Sequence, residues 1–232
     1  MKFSVSKDKL LEGLSTVQNV VSTRTTLPIL SNVLLQASDG EIRLTTTDLD
    51  VGIRGSVEAQ IERTGSTTLP ARRLFSIVRE LPSSEIYFDV DTKNFELNRT
   101  LLVSKLIEGN YPNYRQVIPS EAKERIKLER ETFLTAIRRV SLLASEKSVK
   151  LIFTKSNIDI VANTPEVGEA KESLAVMYQG REFSIAFNPE FLMAPLRNLS
   201  EEEIYLDLID ELSPGVIKIA GPFLYVLMPV RL

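Results

Sequence analysis

The chain contains no cysteine and no histidine. The first absence removes disulfides and thiolate metal sites. The second removes the side chain most often used as a general base or metal ligand near neutral pH. No apolar run approaches the roughly 18 residues of a membrane-spanning helix. The opening Met1-Lys2-Phe3-Ser4-Val5 alternates like a strand and lacks the apolar core and small-residue cleavage site of a secretory signal. There is no P-loop, no dinucleotide-binding glycine fingerprint and no nucleophile elbow. Carboxylates are plentiful but sit at strand ends and on helix surfaces, where solvated faces are the ordinary reading. These absences predict a cytoplasmic protein that is not an enzyme, with no catalytic residue, no metal and no cofactor. The 232 residues are 43% hydrophobic and 25% charged, a composition suited to globular cores.

What is present is one unit written twice. Ser84-Glu85-Ile86-Tyr87-Phe88-Asp89-Val90-Asp91 returns as Glu202-Glu203-Ile204-Tyr205-Leu206-Asp207-Leu208-Ile209-Asp210. Arg79-Glu80-Leu81 falls on Arg197-Asn198-Leu199, and Leu10-Leu11-Glu12-Gly13-Leu14 on Phe133-Leu134-Thr135-Ala136-Ile137. The repeat predicts two related domains, 1–119 and 120–232, each large enough for its own core.

Each copy follows the same plan. Leu10, Leu11, Leu14, Val17, Val20 and Val21 have the spacing of an amphipathic helix over 7–21. Residues 32–36 and 41–45 flank Ser38-Asp39-Gly40 as a hairpin. Pro70 opens a second helix bearing Leu74, Phe75, Ile77, Val78 and Leu81, followed by strands at 84–90 and near 100–107. In the second copy the helices fall at about 130–145 and after the Asn188-Pro189 cap, with strands at 149–154, 157–162, 169–177, 183–185, 203–209, 215–220 and 223–230. The fold class is α+β, two helices per domain laid on antiparallel sheet.

Several strings carry a family resemblance. The start MKFSVSKDKLLEGLSTVQNVVS, Thr26-Leu27-Pro28-Ile29-Leu30, Thr46-Thr47-Asp48-Leu49, Leu69-Pro70-Ala71-Arg72, Asn163-Thr164-Pro165-Glu166 and the ending Tyr225-Val226-Leu227-Met228-Pro229-Val230-Arg231-Leu232 resemble the bacterial sliding clamp, the beta subunit of DNA polymerase III. Three such domains make the usual subunit. Here residues 1 to about 93 resemble the first, a segment from about 97 to 119 resembles the end of the middle one, and the rest resembles the third. The resemblance therefore implies a clamp fold whose middle domain is missing.

The resemblance also implies a function: a ring that encircles duplex DNA and tethers a replicative polymerase. A ring that slides must bind phosphates without reading bases, so cations belong on its inward helices. Arg72, Arg73 and Arg79, Arg138, Arg139 and Arg197 lie on the predicted helices, and Arg24 on the loop after the first. With a net charge of −3 the attraction has to be local. The implied subunit interface joins Ile77, Leu81 and Leu101 to Leu142 and Leu143, with Arg73 near Glu166. Glu169 and Glu172 lie on its acidic strand, opposite Asn98 and Thr100 where the family's first domain carries arginines. Six domains complete the family's ring, so two domains per chain imply a homotrimer. The family's groove for short linear motifs of polymerases and the clamp loader maps onto Pro112, Val117, Asn188, Phe191, Pro214, Met228, Pro229, Val230, Arg231 and Leu232. Its other half would be supplied by Thr47-Asp48-Leu49-Asp50-Val51-Gly52-Ile53. The alternative is a shortened clamp that does not encircle DNA and acts only as a protein-interaction module.

Overall fold

The computed structural model describes residues 1–21, 27–82, 85–90, 95–97, 100–102, 111–113, 116–119, 122–144, 148–164 and 168–231, with backbone only at 95–97 and 100–102. The chain forms two compact units, Met1–Asn113 and Tyr114–Leu232. The division falls a few residues before the boundary expected from the repeat.

The first unit runs β1 (Lys2–Ser6), α1 (Lys7–Gln18), a 3-10 turn at Pro28–Ser31, β2 (Asn32–Ser38), β3 (Glu41–Thr47), β4 (Val51–Glu58), β5 (Gln60–Arg63), β6 (Gly65–Pro70), α2 (Ala71–Glu80), β7 (Glu85–Val90), β8 (Phe95–Leu97) and β9 (Thr100–Leu102). The second runs β10 (Glu124–Glu129), α3 (Arg130–Ser141), β11 (Val149–Thr154), β12 (Asn157–Thr164), β13 (Gly168–Ala175), β14 (Phe183–Phe187), α4 (Pro189–Asn198), β15 (Glu203–Leu208), β16 (Gly215–Lys218) and β17 (Leu224–Leu227). With β5 set aside, each unit is a strand, a helix and three strands, made twice.

The halves of a unit exchange their first strands. In the first unit β4-β3-β2 is completed by β6, and β7-β8-β9 by β1, with β5 on its outer edge. The second unit repeats both orders, as β13-β12-β11-β14 and β10-β15-β16-β17. Alternation decides which face of each strand is buried. Phe3 and Val5 of β1 and Ile86 and Phe88 of β7 point inward, and the rings of Phe3 and Phe88, register partners, stack with centroids 4.5 Å apart. Ile126, Leu128, Ile204 and Leu206 hold the corresponding positions of the second unit.

The helices close the other side of each core. Helix α1 packs on α2 and against β3 and β4, while α3 packs on α4 and against β12 and β13. Leu10, Leu14 and Val17 of α1, and Phe133, Leu134, Ile137 and Val140 of α3, are fully covered. Both first helices stop short of the lengths expected from periodicity. Val20 and Val21 still reach the core beyond the end of α1, and Ser141 turns its hydroxyl onto the Arg138 carbonyl at the end of α3. The β2–β3 hairpin turns through Asp39 and Gly40, at φ 52° and 78°, which is the geometry a two-residue hairpin requires. Of the strand expected near 100–107, β9 is observed, and 103–110 lies outside the described residues.

Helix α4 carries a proline in its interior. Pro195 has no N–H to give the carbonyl of Phe191, four residues earlier. That carbonyl instead accepts a hydrogen bond of 2.8 Å from the Tyr225 hydroxyl on β17, so the defect in the helix becomes a tie to the sheet. Tyr225→Phe is expected to cost about 1–2 kcal/mol by leaving a covered carbonyl unpaired. In a Pro195→Ala background, where the amide at 195 again serves Phe191, the same change is expected to cost distinctly less. Denaturant unfolding of the two single variants and the double variant measures this coupling, and additive losses would refute the account.

Candidate functional site

Helix periodicity sorts the candidate arginines. On α2, Arg72 and Arg79 are seven residues apart and share one flank with Phe75, whereas Arg73 lies about 100° round, toward Ile77. The Arg72 guanidinium donates to the Val21 carbonyl at 3.3 Å. Arg79 sits 3.1 Å from the Glu80 carboxylate and 5.9 Å from the centroid of the Phe75 ring. Arg73 is exposed and has no acidic partner among the described residues.

In the second unit the same lines carry different charges. The flank that holds Arg72 and Arg79 on α2 holds Glu190 and Arg197 on α4, and these two pair at 3.2 Å. On α3, Arg138 and Arg139 are adjacent and so point about 100° apart. Arg139 turns toward β13 and grips Glu172 through two hydrogen bonds, one of them 2.6 Å. Arg138 is left exposed and has no acidic partner among the described residues. Of the seven expected DNA contacts, Arg72, Arg73 and Arg138 thus have no carboxylate beside them among the described residues, Arg79, Arg139 and Arg197 are ion-paired, and Arg24 lies outside the described residues. The bond from Arg139 holds the Glu172 carboxyl below its ordinary value, and Glu172 in turn raises Arg139. Sequence reasoning assigned these two residues to different surfaces and missed their contact.

The residues expected at a subunit interface gather on two edges. Ile77 and Leu81 are half-buried at the end of α2. Leu101 lies on β9, the last strand of its sheet. In the second unit Leu142 is 83% exposed just past α3, Leu143 is half-buried, and Glu169 is exposed on the edge strand β13. Glu166 lies outside the described residues.

Around the start of α4 the structure assembles most of the expected peptide-groove residues. The Asn188 side chain caps α4, accepting from the Glu190 amide at 3.0 Å. The Val230 amide donates to the Ala186 carbonyl at 2.8 Å, which fastens the tail beside the end of β14. Gly215, next to Pro214, lies so close to the Phe187 ring that a Cβ there would stand 2.8 Å from it. Phe191, Pro214, Pro229 and Val230 are half-buried, Met228 and Val117 are each 38% exposed, and Arg231 is exposed. Pro112 belongs to the first unit and is half-buried, and Leu232 lies outside the described residues.

The segment expected to replace the groove's other half is a tight turn in the first unit. The Asp48 carboxylate accepts from the amides of Asp50 and Val51, and Thr47 Oγ1 donates to the Val51 carbonyl. Burial pushes the Asp48 carboxyl up. Leu49 is held at φ 83° and is 54% exposed, a strained backbone carrying an apolar side chain outward.

Comparison with known proteins gives these surfaces a context. Residues 1–115 match the N-terminal domain of the DNA polymerase III beta subunit, and residues 115–231 match its C-terminal domain. The chain belongs to the DNA polymerase III beta subunit family. The two matched domains meet at residue 115 and leave no stretch for another domain between them. The N-terminal match runs through 97–115, part of the stretch expected to be of the middle-domain type. The beta sliding clamp of Chlamydia pneumoniae is 30% identical over 239 residues, covering all of this chain and 65% of that protein. The chain therefore spans about 65% of the length of that relative. The beta sliding clamp of Escherichia coli K12 is 25% identical in an alignment of 366 positions that covers both proteins, so more than a third of those positions face no residue here. The crystal structure of the Bacillus subtilis DNA polymerase sliding clamp superposes with a TM-score of 0.90 at 26% identity, over all of this chain and 64% of that one. In this chain the family's N-terminal and C-terminal domains follow one another directly.

The Arg139–Glu172 pair has a defined pH dependence. Glu172 is lowered in the folded chain, so the pair stabilises above the ordinary carboxylate range, near pH 4.3, and is lost as pH falls through the lowered value. A double-mutant cycle of Arg139→Ala and Glu172→Gln is expected to give a small favourable coupling at neutral pH, since solvent screens a pair whose arginine is exposed. The coupling should vanish in acid; one that persists there would exclude a charge-based pair.

Proposed function

We propose that this chain is a DNA sliding clamp, a non-enzymatic processivity factor whose copies close into a ring around duplex DNA and tether a replicative DNA polymerase. The observation that carries the proposal is that two beta-subunit domains account for the chain from end to end. The physical requirement of sliding supports it. Arg72, Arg73 and Arg138 extend from helices without acidic partners among the described residues, which suits contact with phosphates rather than base edges.

Closure rests on two features. Strands β9 and β13 each end their own sheet, and an edge strand offers a row of backbone groups to another chain. Leu142 stands exposed beside α3 to meet Ile77 and Leu81 of a second copy. Two domains per chain and six per ring give a homotrimer joined head to tail. The apolar residues at the start of α4, with Met228, Pro229 and Val230, receive short linear motifs of the polymerase and clamp loader. A second reading, an interaction module that does not close, is favoured by one observation. Glu172, expected to serve the interface, is already bound by Arg139 of its own chain.

Light scattering on a sizing column across a dilution series tests closure. The expected mass is three times 26.1 kDa, and a single-chain mass at every concentration would leave only the interaction module. Retention on circular but not on linearised DNA is the expected sign of encirclement. Arg73→Ala with Arg138→Ala should shorten that retention and reduce the slope of log affinity against log salt by about 1.8, at ~0.9 per lost phosphate contact. An unchanged slope would remove both residues from the DNA path.

A further inference from the structure

An ion pair recurs at one position of the repeat in both units. Lys2 of β1 faces Asp89 of β7 at 2.6 Å, and in the second unit Arg125 of β10 faces Asp207 of β15 at 2.7 Å. A second cation joins each carboxylate, Arg63 in the first unit and Lys218 in the second. The two sites differ in their surroundings. The Asp89 side chain is 26% exposed, but that of Asp207 is only 2% exposed. Pro119 and Ala122, on the segment leading into β10, and Val216 of β16 wall it into a recess of about 140 Å³.

We infer that this recess is an oxyanion site, shaped to take one carboxylate or phosphate group between Arg125 and Lys218. The donor inventory carries the inference. Asp207 accepts from Arg125 Nε at 2.7 Å, from Arg125 Nη2 at 2.8 Å and from Lys218 Nζ at 2.8 Å. Those bonds leave Arg125 Nη1 and two N–H groups of Lys218 without an acidic acceptor among the described residues. Two cations against one carboxylate leave a net positive charge at a recess lined in part by proline, alanine and valine. Both cationic heads remain reachable, since the Arg125 side chain is 58% exposed and that of Lys218 35%. Burial pushes the Asp207 carboxyl up, but hydrogen bonds from Arg125 and Lys218 bring it below its ordinary value, so it stays anionic and cannot itself donate to an incoming anion. The entering group therefore binds to the cations alone. It comes from one of two sources, inorganic phosphate or the carboxylate of an acidic side chain on a docking segment. The site does not depend on ring closure or on DNA.

Arginine side-chain NMR of the full chain tests the site directly, with inorganic phosphate and acetate as separate probes at constant ionic strength. The Arg125 Nε–H signal, assigned by its loss in Arg125→Lys, is expected to shift saturably. Lys218→Met should weaken the midpoint about tenfold, the loss of one charge-assisted bond. Asp207→Asn removes the competing carboxylate and should tighten it severalfold; its spectrum also reports whether the variant is folded. Saturation by phosphate alone identifies the inorganic ion as the ligand class, and saturation by acetate identifies a side-chain carboxylate. A linear drift with both probes, the same in Lys218→Met as in the unaltered chain, overturns the proposal.

Discussion

Each unit depends on the exchange of first strands between its halves. Strand β1 belongs in sequence to the half that forms β2, β3 and β4, yet it lies beside β7, and β6 makes the reciprocal move to β2. Neither half can complete its sheet alone, so the cores form only when both halves fold together. Polar contacts reinforce the same exchange. The Lys7 ammonium, at the start of α1, donates to the Leu81 carbonyl at the end of α2. In the second unit Arg130, at the equivalent place on α3, donates to the carbonyls of Leu196 and Glu201 at the end of α4, each at 2.8 Å. A cation at the carbonyl end of a helix is favourable on account of the helix dipole. Here it also fixes how the two helices of a unit pack.

That shared skeleton explains why the charges on the helix surfaces can diverge. The buried rows of α2 and α4 are set by the core, whereas the outward flanks are constrained only by what they meet in solution. Arg72 and Arg79 form a doubly positive line on α2, and Glu190 with Arg197 forms a neutral one on α4. Among the helix arginines of the described residues, those without a carboxylate partner are Arg72 and Arg73 of α2 and Arg138 of α3. A chain of net charge −3 can meet phosphate backbones only through such local concentrations.

The skeleton was legible in the sequence because it follows from periodicity and repetition. Leu10, Leu14 and Val17, the Asp39-Gly40 turn and the Asn188-Pro189 cap each announce their element locally. Strands β4 and β10 were harder to see. Gly55 interrupts the inward row of Val51, Ile53 and Val57, and β10 has only Ile126 and Leu128 to mark it. The partners of individual arginines were not legible at all. Arg138 and Arg139 look alike in sequence, and what separates them is the 100° between adjacent helix positions together with a strand that arrives 33 residues later. The two repeat offsets would have exposed one long-range pair. Lys2 with Asp89 maps onto Arg125 with Asp207, and opposite charges retained in step on two strands mark a cross-strand contact.

The same comparison between units shows where the second unit departs from the first. Asp89 and Asp207 occupy one position of the repeat and each holds two cations, so the arrangement itself is a property of the fold. What differs is the cover. In the second unit Pro119 and Ala122 lie against the Asp207 cluster, and the Lys123 amide donates to the Leu208 carbonyl at 3.0 Å. The Asp207 side chain is 2% exposed against 26% for Asp89, while the cations of the two clusters are similarly exposed. A surface ion pair contributes little in water because solvent competes for both partners. At Asp207 solvent competes for the two cations but hardly for the carboxylate, so the acceptor is committed within the chain while donors of Arg125 and Lys218 still face outward.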